Sequence, residues 1–357
     1  MKINLEEIEK RISAGLIRRQ WTGDGTLQIL NYTQRCSYEK LWDEYTILTR
    51  GLILKTDGTV HARSFKKFWN LNEAPGPAFS DLPNEDPIIT LKHDGYMGVG
   101  HWHNKQFKIA SRGSFTSEYA LWATEWIRSR NPKIDMWLGE HSGITYVFEI
   151  LHPKRIVVDN SQNIGLVLLA GVVTETGAEI DRNSLEIAGN LMNCKVVQQY
   201  PTHTIDDCVM ASGALKGTEQ EGFVAYYPKA ALRIKIKGDD YCKIHRIATK
   251  LTKRRIWEIL SRCGGKVSLA DAELYEIQAV LPKEYADWIE RTADALKVAW
   301  NVLFYDAIVA KDAVCPQGLP WDGYTRKDVV QRLQNEFPDI WHEALYLIDG
   351  NIDKAVA

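Results

Sequence analysis

Lys92 stands two residues before an Asp-Gly pair, in the run Lys92-His93-Asp94-Gly95. A primary amine attacks phosphorus only as the neutral base, so a lysine aimed at the α-phosphate of a nucleoside triphosphate needs burial or nearby cations to lower its pKa. Asp94-Gly95 supplies a tight turn that could present it. Read alone, the four residues equally fit a solvated lysine ahead of a hairpin. Further along, Thr145-Tyr146-Val147-Phe148-Glu149-Ile150 reads as a buried strand carrying one carboxylate. Glu221-Gly222-Phe223-Val224-Ala225-Tyr226 reads as another with its carboxylate at the start. Arg233-Ile234-Lys235-Ile236-Lys237 alternates strictly, placing three cations on one strand face and both isoleucines on the other. Such a face suits a triphosphate or a solvated edge strand guarded by its cations.

In this order the Lys-x-Asp-Gly, Phe-Glu, Glu-Gly-x-Val-Ala and Lys-Ile-Lys segments resemble motifs I, III, IV and V of the covalent nucleotidyltransferases, which include RNA ligases, DNA ligases and mRNA capping enzymes. Thr49-Arg50-Gly51-Leu52-Ile53-Leu54, the run from Ser64 to Glu73 and Ser111-Arg112-Gly113-Ser114 narrow the likeness to the phage-type RNA ligase 1 family. That family includes the tRNA-repair ligases of T-even phages. The resemblance covers the first two thirds of the chain well and the rest loosely.

The resemblance implies an enzyme in which Lys92 attacks ATP, releases pyrophosphate and carries AMP as a phosphoramidate. AMP then passes to an RNA 5′-phosphate, and a 3′-hydroxyl displaces it to seal the strand. By the same likeness Lys235 and Lys237 contact the α-phosphate and depress the pKa of Lys92. Glu149 takes the ribose hydroxyls, and Glu221 orients the waters of Mg2+, for which Mn2+ can substitute. Arg50 and Lys67 meet the outer phosphates, and Val224 packs on the adenine. Asp94 and Gly95 belong to the nucleotide site, Asp94 as a structural or metal-shell group. Arg112 stands where the family carries lysine, so a planar fork replaces a point charge there. His93 fills the variable position of the motif.

These groups need a frame. Short β-rich runs separated by turn dipeptides extend from Leu27 to Tyr241, implying a mixed antiparallel α+β domain. Helical periodicity interrupts them at Glu118 to Arg130 and Ser184 to Met192, where the helices cover the sheets. After Tyr241 the pattern turns helical, with one stripe at Ile244, Ile247, Leu251 and Ile259 and another at Trp288, Ala293, Leu296, Trp300 and Leu303. Thr325 followed by Asp328 reads as an N-cap, with Val329, Val330 and Leu333 continuing that helix to Pro338. We place the boundary near residue 243: an antiparallel-sheet nucleotidyltransferase domain at 1–243 and an all-helical C-terminal domain at 244–357.

That tail separates the members of the superfamily. DNA ligases and capping enzymes usually follow the Lys-Ile-Lys strand with a β-rich OB fold, and no five-strand pattern follows here. The first tail helix reads as densely basic, with His245, Arg246, Lys250, Lys253, Arg254 and Arg255. Arg246, Lys250, Lys253 and Arg254 are the candidate RNA contacts, against the alternative of a solvated face. Trp257, Trp288, Trp300, Trp321 and Trp341 could stack on bases, although helical spacing favours core. An mRNA guanylyltransferase or DNA ligase, and an idle RNA-binding protein on a ligase fold, stand as alternatives.

Composition bounds the rest. At 357 residues the chain exceeds a single core, and its formal net charge of −2 argues against indiscriminate coating of nucleic acid. Six cysteines lie scattered without a Cys-x-x-Cys pair, which disfavours a zinc ribbon or a disulfide framework. The first residues read as a charged helix rather than a signal peptide, and no apolar run spans a bilayer, so cytoplasmic residence without a membrane partner is expected. No P-loop occurs, so a separate polynucleotide kinase-phosphatase is the expected partner for preparing RNA ends, with broken tRNA as the substrate the family implies.

Overall fold

A computed structural model describes residues 1–138, 143–153, 157–262, 267–279, 281, 283–315 and 325–349. The chain divides into two compact units, Met1–Lys243 and Ile244–Ala357.

In the first unit, β1 (Ile17–Trp21), β2 (Leu27–Tyr32), β3 (Arg50–Lys55) and β4 (Val60–Ala62) pair in that order as one antiparallel sheet. Then follow β5 (Trp69–Asn70), β6 (Ile88–Lys92), β7 (Tyr96–His103), β8 (Gln106–Ser111), β9 (Ile144–Leu151), β10 (Gly165–Val173), β11 (Lys195–Val196), β12 (Gly222–Tyr227) and β13 (Leu232–Lys237). The second sheet runs β11-β10-β9-β7-β8 and the third β5-β13-β12-β6. Among the described residues only the short pairings β10 with β11 and β13 with β5 are parallel. This is the antiparallel α+β architecture expected.

Alternation along the strands decides which residues reach which core. Tyr146, Phe148 and Ile150 of β9 point into a core closed by Ala123 and Ile127 of the helix Glu118–Arg130 and by Leu185, Ala188 and Met192 of the helix Arg182–Met192. Val147 and Met97, on the other face, pack with Ile29 and Ile53 of the first sheet. Glu149 is the Cα partner of Met97 and shares that second face. In the third sheet Phe223, Ala225, Ile234 and Ile236 turn into a core with Ile89 and Cys208. The opposite face therefore carries the polar residues of β6, β12 and β13.

The second unit is helical: Asp239–Lys250, Lys253–Arg262, Val267–Ala279, Lys283–Val314, Arg326–Glu336 and Trp341–Ile348, the first of these starting just before the division. Thr325 and Asp328 form a reciprocal capping box. The stripe expected from Ile244 to Ile259 is not one helix. The chain breaks at Leu251-Thr252, where the Thr252 hydroxyl accepts a hydrogen bond from Arg255 N at 3.1 Å and starts a new helix. The basic residues consequently lie on two helices, and Arg254 pairs with Glu258. Leu303 is exposed, while Ala293 is buried and Trp257, Trp288, Trp300 and Trp341 are half-buried. Trp321 lies outside the described residues. No helix among the described residues is long and apolar enough to cross a membrane.

Candidate active site

Strand register assembles the site in rows. Lys92 of β6, Gly222 of β12 and Lys237 of β13 are successive Cα partners across the third sheet. Thr90, Val224, Lys235 and Asn70 form the next row. Val224 is half-exposed beside Lys235, on the face opposite the core. Arg233, Lys235 and Lys237 do share one face, and Ile234 and Ile236 the other, as the alternation predicts.

Two glycines permit this packing. A Cβ on Gly95 would come within 2.6 Å of Ile150 O and 2.9 Å of Glu149 Cγ, so glycine lets the turn after Lys92 close against β9. Gly222 has φ +145°, and a Cβ there would meet Ile236 O at 2.1 Å. Glu221, immediately before it, is 3 % exposed and points to the lysines. Its Oε2 lies 2.7 Å from Lys92 Nζ and its Oε1 lies 3.0 Å from Lys237 Nζ.

Asp94 is a clasp. Its Oδ2 accepts hydrogen bonds from Val157 N at 2.7 Å and Val158 N at 2.9 Å, its Oδ1 accepts one from the Tyr241 hydroxyl at 2.8 Å, and its own carbonyl accepts Asn160 Nδ2. The carboxylate, 4 % exposed, thus holds the turn that presents Lys92. His93 is half-buried, and burial with the neighbouring Lys92 charge pushes its imidazole down to about 4. Tyr241 was not foreseen; nothing in its spacing marks it apart from other buried tyrosines.

The electrostatics overturn one expectation. Cations were to depress the pKa of Lys92. Burial does act downward, but the carboxylates of Glu221, Glu149 and Asp94 outweigh it and raise the ammonium above its ordinary value. Glu221 is lowered despite its burial because Lys92 and Lys237 flank it. Lys235, buried among Arg50, Lys92 and Lys67 and without a carboxylate contact among the described residues, is pushed well down. Burial lifts Glu149 to about 7 against the pull of Lys92.

The outer cations rest on aromatic rings. Lys67 Nζ lies 5.3 Å from the Trp42 ring centroid and 5.4 Å from that of Trp69. Arg50 and Lys235 stand 5.1 Å and 4.7 Å from the Phe68 centroid, and Arg112 lies 5.3 Å from that of Tyr32. Arg50 also contacts Met97 Sδ at 2.9 Å. The beds Tyr32, Trp42 and Phe68 were not foreseen, since they meet these cations only through the fold. Arg246, Lys250, Lys253 and Arg254 lie outside this unit and are exposed.

Among the described residues no group of three His, Cys, Asp or Glu is placed to hold a metal by itself. Glu221, with Glu149 nearby, suits a hard cation that keeps its waters and arrives with phosphates.

The sequence profile of a family described as RNA ligase, of the T4 ligase 1 type, matches residues 48–241, more than half of the chain. The chain belongs to this RNA ligase family. The segment that places it there contains Arg50, Lys67, Lys92, Arg112, Glu149, Glu221, Lys235 and Lys237. This RNA ligase family member is 28% identical, over a 247-residue alignment that covers 62% of this chain, to a protein of Autographa californica nuclear polyhedrosis virus named as a bifunctional polynucleotide kinase/RNA ligase. The match covers 33% of the viral protein, so the chain spans about a third of that relative. Among solved structures, an archaeal ATP-dependent RNA ligase shares 12% identity at a TM-score of 0.49, over 82% of this chain and 76% of that one. A Naegleria gruberi RNA ligase with PPi shares 18% identity at a TM-score of 0.36, over 45% of this chain and 52% of that one.

Proposed function

We propose that the chain is an ATP-dependent RNA ligase that joins 3′-hydroxyl and 5′-phosphate ends through lysyl-AMP on Lys92. The observation that carries this reading is the triad of Lys92 and Lys237 on the buried carboxylate of Glu221, with Lys235 one row away and, among the described residues, without a carboxylate contact. The amine thus sits at the edge of a cationic surface suited to a chain of phosphates.

In the first step the Lys92 amine forms a bond to the α-phosphorus of ATP, the bond to the bridging oxygen breaks, and pyrophosphate leaves. Lys92 must first surrender a proton, which its pair with Glu221 opposes. A triphosphate drawing Lys235 and Lys237 onto its α-phosphate sets both cations beside the amine, where like charge disfavours its protonated form, and they offset charge developing in the transition state. Glu149 accepts from the ribose hydroxyls, Val224 covers the adenine face, and Arg50, Lys67 and Arg112 receive the outer phosphates. Mg2+, or Mn2+ in its place, held through water by Glu221, would supply charge neutralisation and a polarising field at the phosphates. Asp94 and Gly95 hold the turn. In the second step AMP moves from Lys92 to the RNA 5′-phosphate, and in the third the 3′-hydroxyl displaces AMP.

The helical unit 244–357 then serves RNA recognition, with Arg246, Lys250, Lys253 and Arg254 as exposed phosphate contacts. Broken tRNA is the substrate this assignment favours, after a separate polynucleotide kinase-phosphatase has healed its ends, in the cytoplasm. Intact mass after incubation with Mg2+ and ATP, GTP or NAD in parallel tests the chemistry. An AMP adduct from ATP alone, absent in Lys92→Ala and reversed by pyrophosphate, is expected. A GMP adduct would turn the assignment to capping, and no adduct from folded, AMP-free protein would leave an idle RNA-binding chain.

A further inference from the structure

Beyond the lysine pocket, the first sheet carries a second cationic feature. Arg18 of β1, Asn31 of β2 and Arg50 of β3 are successive Cα partners across that sheet. Alternation splits the two arginines of β1. Arg19 turns to the helix Leu5–Ser13 and pairs with Glu9, whereas Arg18 shares its face with Gln20, whose Oε1 accepts Phe115 N at 2.7 Å. That face lies along the loop holding Arg112. The Arg18 guanidinium rests on Gly113, where an added Cβ would meet its Nη2 at 2.7 Å and Nε at 3.1 Å.

Among the described residues Arg18, Arg50 and Arg112 form no salt bridge. Arg18 and Arg112 are both exposed. Between Arg18 and Arg50, Asn31 is 2 % exposed and its Oδ1 has no hydrogen-bond partner. A buried acceptor that meets no group of the protein itself takes its partner from outside the chain, as water or ligand. Unpaired guanidinium groups beside an unmet acceptor, leading away from a nucleotide pocket along one sheet, match a chain that alternates phosphates with hydroxyl donors.

We propose that Arg18, over Gly113, binds a backbone phosphate of the RNA strand being joined, outside the nucleotide pocket. This rests on the ligase reading above and deepens it by assigning where the strand lies. Arg50 serves the triphosphate in the first step, so Arg18 is the member of the row that reports on RNA alone.

The test separates the steps. Arg18→Gln and Gly113→Ala, which displaces the guanidinium from its bed, are compared with the unaltered protein by intact mass for lysyl-AMP formation. Transfer of AMP from preformed lysyl-AMP to 5′-phosphorylated RNA is then followed as salt rises. Lysyl-AMP formation at the normal rate, transfer slowed about tenfold, and a salt dependence shallower by about one phosphate contact are expected. Arg18→Lys should restore part of the transfer rate. Unchanged transfer in Arg18→Gln, or an equal loss in lysyl-AMP formation, would overturn the proposal. Absence of lysyl-AMP in the unaltered protein would instead remove the ligase reading itself.

Discussion

The Lys92 ammonium and the Glu221 carboxylate form a buried ion pair at 2.7 Å, and the second Glu221 oxygen engages Lys237 at 3.0 Å. Lys92 is therefore held in its protonated form, which cannot attack phosphorus. Because its pKa is raised in the folded state, the stabilisation from this pairing is complete below the ordinary lysine value and is lost as pH rises through the higher folded one.

Lysyl-AMP formation should accordingly speed up as pH rises into the alkaline range. In Glu221→Gln the profile should move to lower pH, because the largest upward influence on Lys92 is gone, while the maximal rate falls about a hundredfold if Glu221 orients the metal as proposed. Single-turnover mass measurements across pH check both effects. An unshifted profile would show that Glu221 does not control the proton on Lys92.

Glu149 offers a separate pH signature. Its folded value of about 7 lies above its ordinary 4.5, so it favours folding while protonated and that contribution disappears as pH rises through 7. The urea midpoint of Glu149→Gln, relative to that of the unaltered protein, should increase between pH 5 and pH 8. Parallel curves for the two proteins would refute the assignment.

Asp94 should matter for stability before chemistry. Asp94→Ala removes the acceptor for Val157 N, Val158 N and the buried Tyr241 hydroxyl. Donors left unmet cost about 1–3 kcal/mol each where buried, so a loss of roughly 3 kcal/mol is expected in denaturant unfolding of the first unit. Tyr241→Phe, which removes one donor of the set, should cost about 1 kcal/mol.

Gly95→Ala should abolish lysyl-AMP formation without emptying the fold of structure. The added methyl would contact Ile150 O and Glu149 Cγ inside van der Waals distance, so the turn must back away from β9 and separate Lys92 from its carboxylates. Intact mass with ATP and circular dichroism together check this: a normal adduct would show that the turn has room to give.

Much of this site is legible before any coordinates. The alternation of Arg233 to Lys237 and the glycine after Glu221 are local signals, and local signals survive folding. The helix Glu118–Arg130 likewise follows from periodicity and from Ser117, whose hydroxyl caps Ala120 N. The direction of the Lys92 shift was not legible, because it depends on Glu221 turning both oxygens toward lysines from two different strands. The ring beds of Lys67, Arg50 and Arg112 join residues from separate strands and loops. At Leu251-Thr252 neither glycine nor proline marks the break, so periodicity ran straight across it.

The aromatic beds divide the cations of the pocket into two kinds. A ring face steadies a cation without neutralising it, so a phosphate reaching Lys67, Arg50 or Lys235 exchanges a weak contact for a strong one and evicts no rival anion. At Lys92 and Lys237 the rival is already seated, in the shape of Glu221. A triphosphate bound as proposed would displace only ring faces with its distal phosphates but a carboxylate with its α-phosphate, so its far end would be gripped first.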